Sequence, residues 1–369
     1  MANVFACEER RGKIIRNENA LLPDFAPAEL LYRGAQIQEI ARAIKPLVSG
    51  QKPSNLFIFG PTGTGKTSSV KSVFSQLGEY SQKVSCIYVN CWEHSSKQAV
   101  LSKLAMSFGE ALPRRGLAAD EVFSRIMQRA KYEGKSIAVA LDEADRLFSR
   151  EGESIIYDIS RAHENYGIHC ALVAMSNNYG LPSKLDDRAR SSLSLRALEF
   201  PQYSPMELKD ILRERARAAL SPGTCPEEVI ALCAGHGAKA RGDARVAINA
   251  LLEAARGAES RASERIGLED ARKAVDASSA VSLKKNLSLM SGNERLLFSI
   301  LESAKSAGAQ ITSGELYSRY NEAALASGGE PLSERQLRNY LDSFERARMV
   351  TVQEAGLGDK GRTRLVSLR

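Results

Sequence analysis

The sequence predicts an α/β fold in three parts: a parallel five-stranded sheet, an all-helical block, and a C-terminal helix-turn-helix module with a wing. Three observations carry this prediction. Short apolar segments rich in β-branched and aromatic residues alternate with helix-period segments up to about Ser204, no such strand follows Pro205, and a polar stretch precedes three helical segments and a hairpin pattern.

The five expected strands are Asn55 to Phe59, Val84 to Asn90, Ser136 to Leu141, Cys170 to Met175 and Leu193 to Phe200. Between them lie helical stretches with apolar residues three and four apart, such as Val100, Leu101, Leu104 and Phe108, then Val122, Phe123, Ile126 and Met127. Strands that alternate with helices imply a parallel sheet covered on both faces. The helical block reads as Glu207 to Leu220, Pro226 to Ala234, Ala244 to Arg256 and Leu268 to Ser278, and it is neutral, with 12 basic and 12 acidic residues between Pro205 and Val281. Ser282 to Ser291 reads as a linker. Helices Asn293 to Ser306, Ser313 to Ala326 and Glu334 to Arg348 then lead into a terminal hairpin. The expected domains are therefore 1–204, 205–281 and 282–369.

Composition excludes several classes. The chain has 369 residues with 43% hydrophobic and 26% charged, enough apolar surface to build a core in each domain, which rules out general disorder. Apolar runs such as Ile137 to Leu141 fall far short of the roughly 20 residues that a membrane helix needs. The charged N-terminal residues carry no apolar core with a small-residue cleavage site, so the expected location is cytoplasmic. The six cysteines show no CxxC spacing, and Cys86, Cys91 and His94 lack a fourth ligand at a usual spacing, so buried reduced thiols are expected there instead of zinc.

Chemistry concentrates at one segment. Gly60-Pro61-Thr62-Gly63-Thr64-Gly65-Lys66-Thr67 follows an apolar strand and opens a helix at Ser68, which is a full GxxxxGK[ST] phosphate loop in its strand-to-helix context. Its glycines let backbone N–H groups close around phosphates, and the helix N-terminus adds positive partial charge. Residues Gly60 to Ser68 are therefore expected to hold the phosphates, with Lys66 as a point charge and Thr67 offering its hydroxyl to magnesium. The strand from Ile137 ends in Asp142 and Glu143. Asp142 would hold the magnesium through water, and Glu143 would orient or deprotonate the attacking water.

In the large class of additional-strand ATPases, a further strand lies in space between the phosphate-loop strand and the acidic-pair strand, and its tip carries a polar sensor. Cys170 to Met175 followed by Ser176-Asn177-Asn178 is expected to fill that place, with Asn177 as sensor. Arg188 and Arg190 precede the fifth strand where a trans-acting arginine finger is expected. Gly242-Asp243-Ala244-Arg245 opens a helix of the lid from which Arg245 would reach the γ-phosphate.

In this order the motifs resemble the AAA+ class, and more narrowly the archaeal replication initiators of the origin-recognition and cell-division-cycle family. The resemblance covers nearly the whole chain and rests further on Ile15-Arg-Asn-Glu18, Leu22-Pro-Asp24, Glu29-Leu-Leu-Tyr32-Arg33, Asn90-Cys91, Asp145-Arg-Leu, Ser191-Ser192, Phe200-Pro-Gln-Tyr203 and Ile211-Leu-Arg-Glu-Arg215. It implies that Tyr32, Arg33, Tyr203 and Arg215 lie around the nucleotide, ATP or ADP with Mg2+, and that hydrolysis is slow. Gln202 stands where the family usually has a second proline, and Ala144 where a larger aliphatic is frequent.

The C-terminal module carries its own signature. Leu337, Leu341 and Phe344 share one face of the last helix, leaving Arg335, Gln336, Arg338 and Asn339 to point outward as base and phosphate readers. The glycine-rich hairpin holds Lys360 and Arg362, and the last eleven residues carry four basic and one acidic side chain. By the resemblance, Arg114 and Arg115, in the insertion ahead of the acidic-pair strand, also touch DNA. The implied partners are duplex origin DNA, an MCM-type replicative helicase and other initiator copies, with no membrane. A clamp-loader-like or motor ATPase whose winged module binds protein, and an ATPase-type transcription regulator, are the alternative readings.

Overall fold

The computed structural model describes residues 14–23, 25, 27, 29–110, 117–147, 153–184, 193–306, 311–328, 330–346, 349–356 and 362–368. The chain divides into two compact units, Met1–Val275 and Asp276–Arg369.

The first unit contains β1 (Leu56–Phe59), β2 (Val84–Asn90), β3 (Ser136–Asp142), β4 (Cys170–Ser176) and β5 (Arg196–Glu199). All pairs are parallel, in the order β2-β3-β4-β1-β5, so β4 does lie between β1 and β3. Helices α1 (Gly34–Ile44), α2 (Lys66–Tyr80), α3 (Lys97–Ser107), α4 (Ala119–Tyr132), α5 (Glu153–Ser160) and α6 (Ala162–Tyr166) accompany it. Side chains alternate across a strand, and the two cores follow that period. Ile137, Val139 and Leu141 of β3 join Leu172 of β4 in one core with Leu101 of α3 and Ile126 of α4. Ala138 and Ala140, with Ala171 and Val173, face the other way toward Val70, Val73 and Phe74 of α2. The alanines leave room for α2, the helix that the phosphate loop opens.

Strand β5 is shorter than its apolar pattern suggests. Ser194 adopts a left-handed φ of 43°, which interrupts extended backbone before Arg196. Arg196, Ala197 and Glu199 are exposed on the sheet edge, where charge discourages further strand pairing.

The helical block consists of α7 (Pro205–Ala219), α8 (Glu227–Lys239), α9 (Ala244–Ser260) and the start of α10 (Leu268–Leu289). Ser204 and Glu207 form a reciprocal capping box at α7, with Pro205 in the first turn where its missing N–H costs nothing. The N-terminal residues pack into this block. Ile14, Ala20 and Leu21 are fully buried in its core, Ile15 bridges Leu220, and the N–H groups of Arg16 and Asn17 both donate to the Ala219 carbonyl.

The polar stretch Ser282–Ser291, read as a linker, is helical through Leu289 as the continuation of α10. It contains no glycine or proline, and its lysine and leucine residues are good helix formers, so polarity alone does not end the helix.

The second unit holds α11 (Gly292–Ser306), α12 (Ser313–Ala326), α13 (Glu334–Arg346), and strands β6 (Ile311–Thr312), β7 (Val350–Gly356) and β8 (Arg362–Leu368) in an antiparallel sheet of order β6-β8-β7. Leu337, Leu341 and Phe344 are buried as their spacing predicts, with Phe344 edge-on to Phe298 at 6.2 Å. This is a winged helix. Among the described residues no helix is long and apolar enough to cross a membrane.

Candidate nucleotide site

The loop from Gly60 to Thr67 joins β1 to α2 and requires its glycines sterically. Gly60, Gly63 and Gly65 have φ of 150°, 70° and 87°. A Cβ would meet the Phe200 carbonyl oxygen at 2.2 Å from Gly60 and the Asp243 carboxylate at 1.7 Å from Gly63. Side chains there would displace either β5 or the lid. Thr64 is buried, its hydroxyl donating to the Pro61 carbonyl at 2.9 Å, while Thr62 is exposed and Ser68 half-buried.

Lys66 is buried at the first position of α2. Its Nζ donates to the carbonyls of Gly60 and Pro61 at 2.7 and 2.8 Å and to Oδ1 of Asn177 at 2.8 Å. Burial pulls this amine down to about 8, against the opposing pull of Asp142 and Glu143. The loop thus presents a cation whose present partners are neutral oxygens. Such a cradle fits an incoming polyphosphate.

The acidic pair stands at the end of β3. Asp142 is buried, and its Oδ2 accepts from Thr67 Oγ1 at 2.6 Å and from Tyr88 OH at 2.7 Å. Its Oδ1 accepts the Glu143 N–H at 2.9 Å. A hydroxyl beside a carboxylate is a hard oxygen pair that suits magnesium, so Thr67 and Asp142 fit the metal role. Glu143 holds a left-handed φ of 52°, uncommon for a non-glycine residue and frequent at functional sites. Asn177 Nδ2 donates to both Glu143 oxygens, at 3.4 and 3.3 Å. Asn177 therefore joins Lys66 to Glu143 through one side chain.

Tyr88 escapes sequence reasoning because a tyrosine inside an apolar strand reads as core. The register pairs Asn90 with Asp142, which puts Tyr88 one pleat back on the adjacent strand and within reach. Desolvation and its bond to Asp142 push its phenol up, so it stays a donor. Tyr88→Phe should raise the magnesium concentration needed for half-maximal nucleotide binding roughly tenfold, as loss of a ligand's supporting hydrogen bond does elsewhere. A magnesium titration of nucleotide affinity with an unmoved midpoint would show that the hydroxyl does not position Asp142.

The residues that the resemblance places around the nucleotide divide between two duties. Arg33 is 2% exposed, and its guanidinium donates to the carbonyls of Thr64 at 2.8 Å, Tyr32 at 3.1 Å and Pro201 at 2.7 Å while lying 3.9 Å over the Tyr203 ring. It ties the phosphate loop to the segment leaving β5. Tyr203 is buried, and its hydroxyl would lie 2.9 Å from a Cβ at Gly65. Tyr32, half-exposed, donates to Asp210 of α7. Arg215 donates to the carbonyls of Ala20 and Phe25 at 3.0 and 3.1 Å and lies over the Phe25 ring, so it holds the N-terminal segment against α7.

The lid reaches the loop through Asp243 and Arg245. Asp243 caps α9 by accepting the Arg245 N–H at 2.9 Å, and its other oxygen accepts Thr62 Oγ1 at 3.2 Å. Ala244 N–H donates to the Gly63 carbonyl at 3.2 Å. Arg245 itself is paired with Asp243 at 3.4 Å and half-exposed.

In the winged unit, Arg335, Arg338 and Asn339 are exposed on α13. The Gln336 carboxamide oxygen accepts both the N–H and hydroxyl of Ser333 at 2.9 Å, while the Gln336 backbone N–H donates to Ser333 Oγ at 3.3 Å. Gln336 thus caps its helix, a role legible in Ser333-x-x-Gln336 but not assigned from the sequence. Arg362 opens β8. Arg114, Arg115, Arg188, Arg190 and Lys360 lie outside the described residues. Cys86 and Cys91 are thiols pushed up to about 12 by burial, and no group of three or more metal-ligating side chains occurs among the described residues.

Comparison with known families follows the same order along the chain. The AAA domain matches residues 49–180, the Cdc6 AAA+ ATPase-type lid domain residues 209–276, and the CDC6 C-terminal winged helix domain residues 285–369. The ORC1-type DNA replication protein 1 of Sulfolobus acidocaldarius is 30% identical over 363 residues, covering 97% of this chain and 91% of the relative. That of Aeropyrum pernix is 32% identical over 366 residues, covering 96% and 92%. Among solved structures, the Aeropyrum pernix ORC1 protein in complex with DNA aligns with a TM-score of 0.72 at 31% identity, covering 96% of this chain and 94% of that one. The Aeropyrum pernix ORC2 protein in ADPNP-ADP complexes aligns with a TM-score of 0.76 at 23% identity, covering 96% and 94%, a likeness of fold. Because loop, lid and winged helix are matched in sequence order and at this identity over nearly the full length of the relatives, the chain belongs to the ORC1/Cdc6 family of AAA+ DNA replication proteins.

Proposed function

We propose that this chain is an ATP-switched replication initiator that binds duplex origin DNA through its winged unit and helps recruit or load the replicative helicase. The observation that carries the reading is the joined set Lys66, Asn177 and Glu143 beside Thr67 and Asp142, in one chain with a winged helix whose Arg335, Arg338 and Asn339 are exposed. Lys66 binds the β- and γ-phosphates, Asn177 orients Glu143, and Glu143 takes the proton of the attacking water. Magnesium, held by Thr67 and Asp142, would neutralise charge on the transferred phosphoryl group. Hydrolysis is slow in the isolated chain because the arginine finger, Arg188 or Arg190, acts on a neighbouring copy. Further copies and an MCM-type helicase are therefore the protein partners of this reading, with a cytoplasmic location.

The test compares gel mobility shifts on origin-region and random duplexes at several salt concentrations. Arg338→Ala should cost about 1 to 3 kcal/mol on the preferred duplex and much less on random DNA, as expected for loss of a bidentate base contact. Equal losses on both would make α13 a phosphate binder only. Wild-type protein that shifts neither duplex would favour a winged unit that binds protein.

A further inference from the structure

The lid touches the phosphate loop through a carboxylate, although the ligand expected there is itself an anion. Asp243 is 7% exposed, one oxygen accepting from Thr62 of the loop and the other from the Arg245 N–H. The Arg245 guanidinium folds back on the same carboxylate, with Nε 3.4 Å from Oδ1 and Nη2 3.4 Å from Oδ2. The fit leaves no slack, since Gly63 has no room for a Cβ beneath Asp243 and Gly242, at φ 69°, none beside the Tyr203 backbone. The lid arginine therefore already has a counter-charge at the rim of the cradle.

We propose that Asp243 is a positioning residue that holds Arg245 at the rim of the phosphate loop as a counter-charge which a third phosphate must displace, so that it sets the discrimination between nucleoside triphosphate and diphosphate. A diphosphate leaves the Asp243–Arg245 pair undisturbed. A triphosphate brings a further anion to Arg245, and the guanidinium exchanges the carboxylate for phosphate oxygens at a cost equal to the pair it breaks. Removing the charge of Asp243 lifts that cost for the triphosphate alone. Asparagine keeps a side-chain oxygen to cap α9, so the helix start is retained.

The experiment measures ATP and ADP affinities, by competition against a fluorescent nucleotide, for wild type, Asp243→Asn, Arg245→Ala and the double variant. Asp243→Asn should shift the ATP-to-ADP affinity ratio toward ATP by about two- to fivefold, the range for a half-exposed ion pair. In the Arg245→Ala background the same substitution should leave the ratio unmoved, because the carboxylate then has no arginine to hold. A loss of fold or of lid closure alone weakens both nucleotides together and leaves the ratio unchanged. Should Asp243→Asn not fold, Asp243→Ser, which caps through its hydroxyl, carries the same expectation. An unchanged ratio in the single variant, or a shift that persists without Arg245, overturns the inference. The inference rests on the nucleotide reading of the loop. Wild-type protein that binds neither nucleotide overturns both, whereas normal Lys66-dependent binding with an unmoved ratio overturns this one alone.

Discussion

Lys66→Ala is expected to weaken nucleotide binding by at least about a hundredfold, since each charge-assisted hydrogen bond to phosphate contributes roughly 1.5 to 3 kcal/mol and this amine is proposed to serve two phosphates. The fold should survive. Lys66 stands at the first position of α2, where alanine is a good helix former. Fluorescent-nucleotide titration with a parallel thermal melt separates loss of binding from loss of structure, and wild-type affinity in the variant would remove the loop from the site. The depressed amine adds a pH dependence. Free Lys66 loses its proton near pH 8, and phosphate favours the charged form, so bound Lys66 titrates higher. Binding above about pH 8 must then take up a proton, and affinity should fall as pH rises through that value, while below it Lys66 is charged in both states and contributes no slope. A flat profile from pH 7.5 to 9.5 would contradict the role given to the buried amine.

Glu143→Gln should leave nucleotide binding near wild type and lower hydrolysis at least about a hundredfold, the lower range for a positioned general base. Glutamine is isosteric and can still accept from Asn177, so the loop and Lys66 keep their places. The Asp142 carboxylate, with its bonds from Thr67 and Tyr88, is untouched. Phosphate release under single-turnover conditions reads the chemistry apart from product dissociation. A variant that binds and hydrolyses at the wild-type rate would assign the water to another group. Asn177→Ala offers the internal comparison, because it breaks contacts to both Lys66 and Glu143 and should impair binding as well as turnover.

The glycine-rich loop, the acidic pair and the polar residue after β4 were legible as positions because each is a local device: glycines for positive φ, a cation at a helix start, polar groups at a strand end. The central place of β4 was legible only through class resemblance, since periodicity reports burial and not which strands are neighbours. Buried positions of α13 follow from spacing, and Ser333-x-x-Gln336 encodes the cap at Gln336 in the same helix start that carries the outward-facing arginines. The short strand β6, two residues long, offers no pattern to read. The helical continuation of α10 to Leu289 is not legible from polarity, because a polar stretch without glycine or proline is compatible with helix.

What the sequence by itself determined is the set of chemical groups and their order: a glycine-rich loop with a lysine at a helix start, a strand ending in two carboxylates, and a winged module with a polar helix face. Tertiary structure alone decided which groups meet. Tyr88 reaches Asp142 across 54 residues because parallel pairing aligns β2 with β3, and Asp243 reaches Thr62 across 181 residues because the lid folds back on the loop. Arg33 is a buried clamp because three backbone carbonyls and an aromatic ring converge on it. Contacts of this kind depend on sheet register and on the meeting of two cores, and neither leaves a periodic trace along the chain.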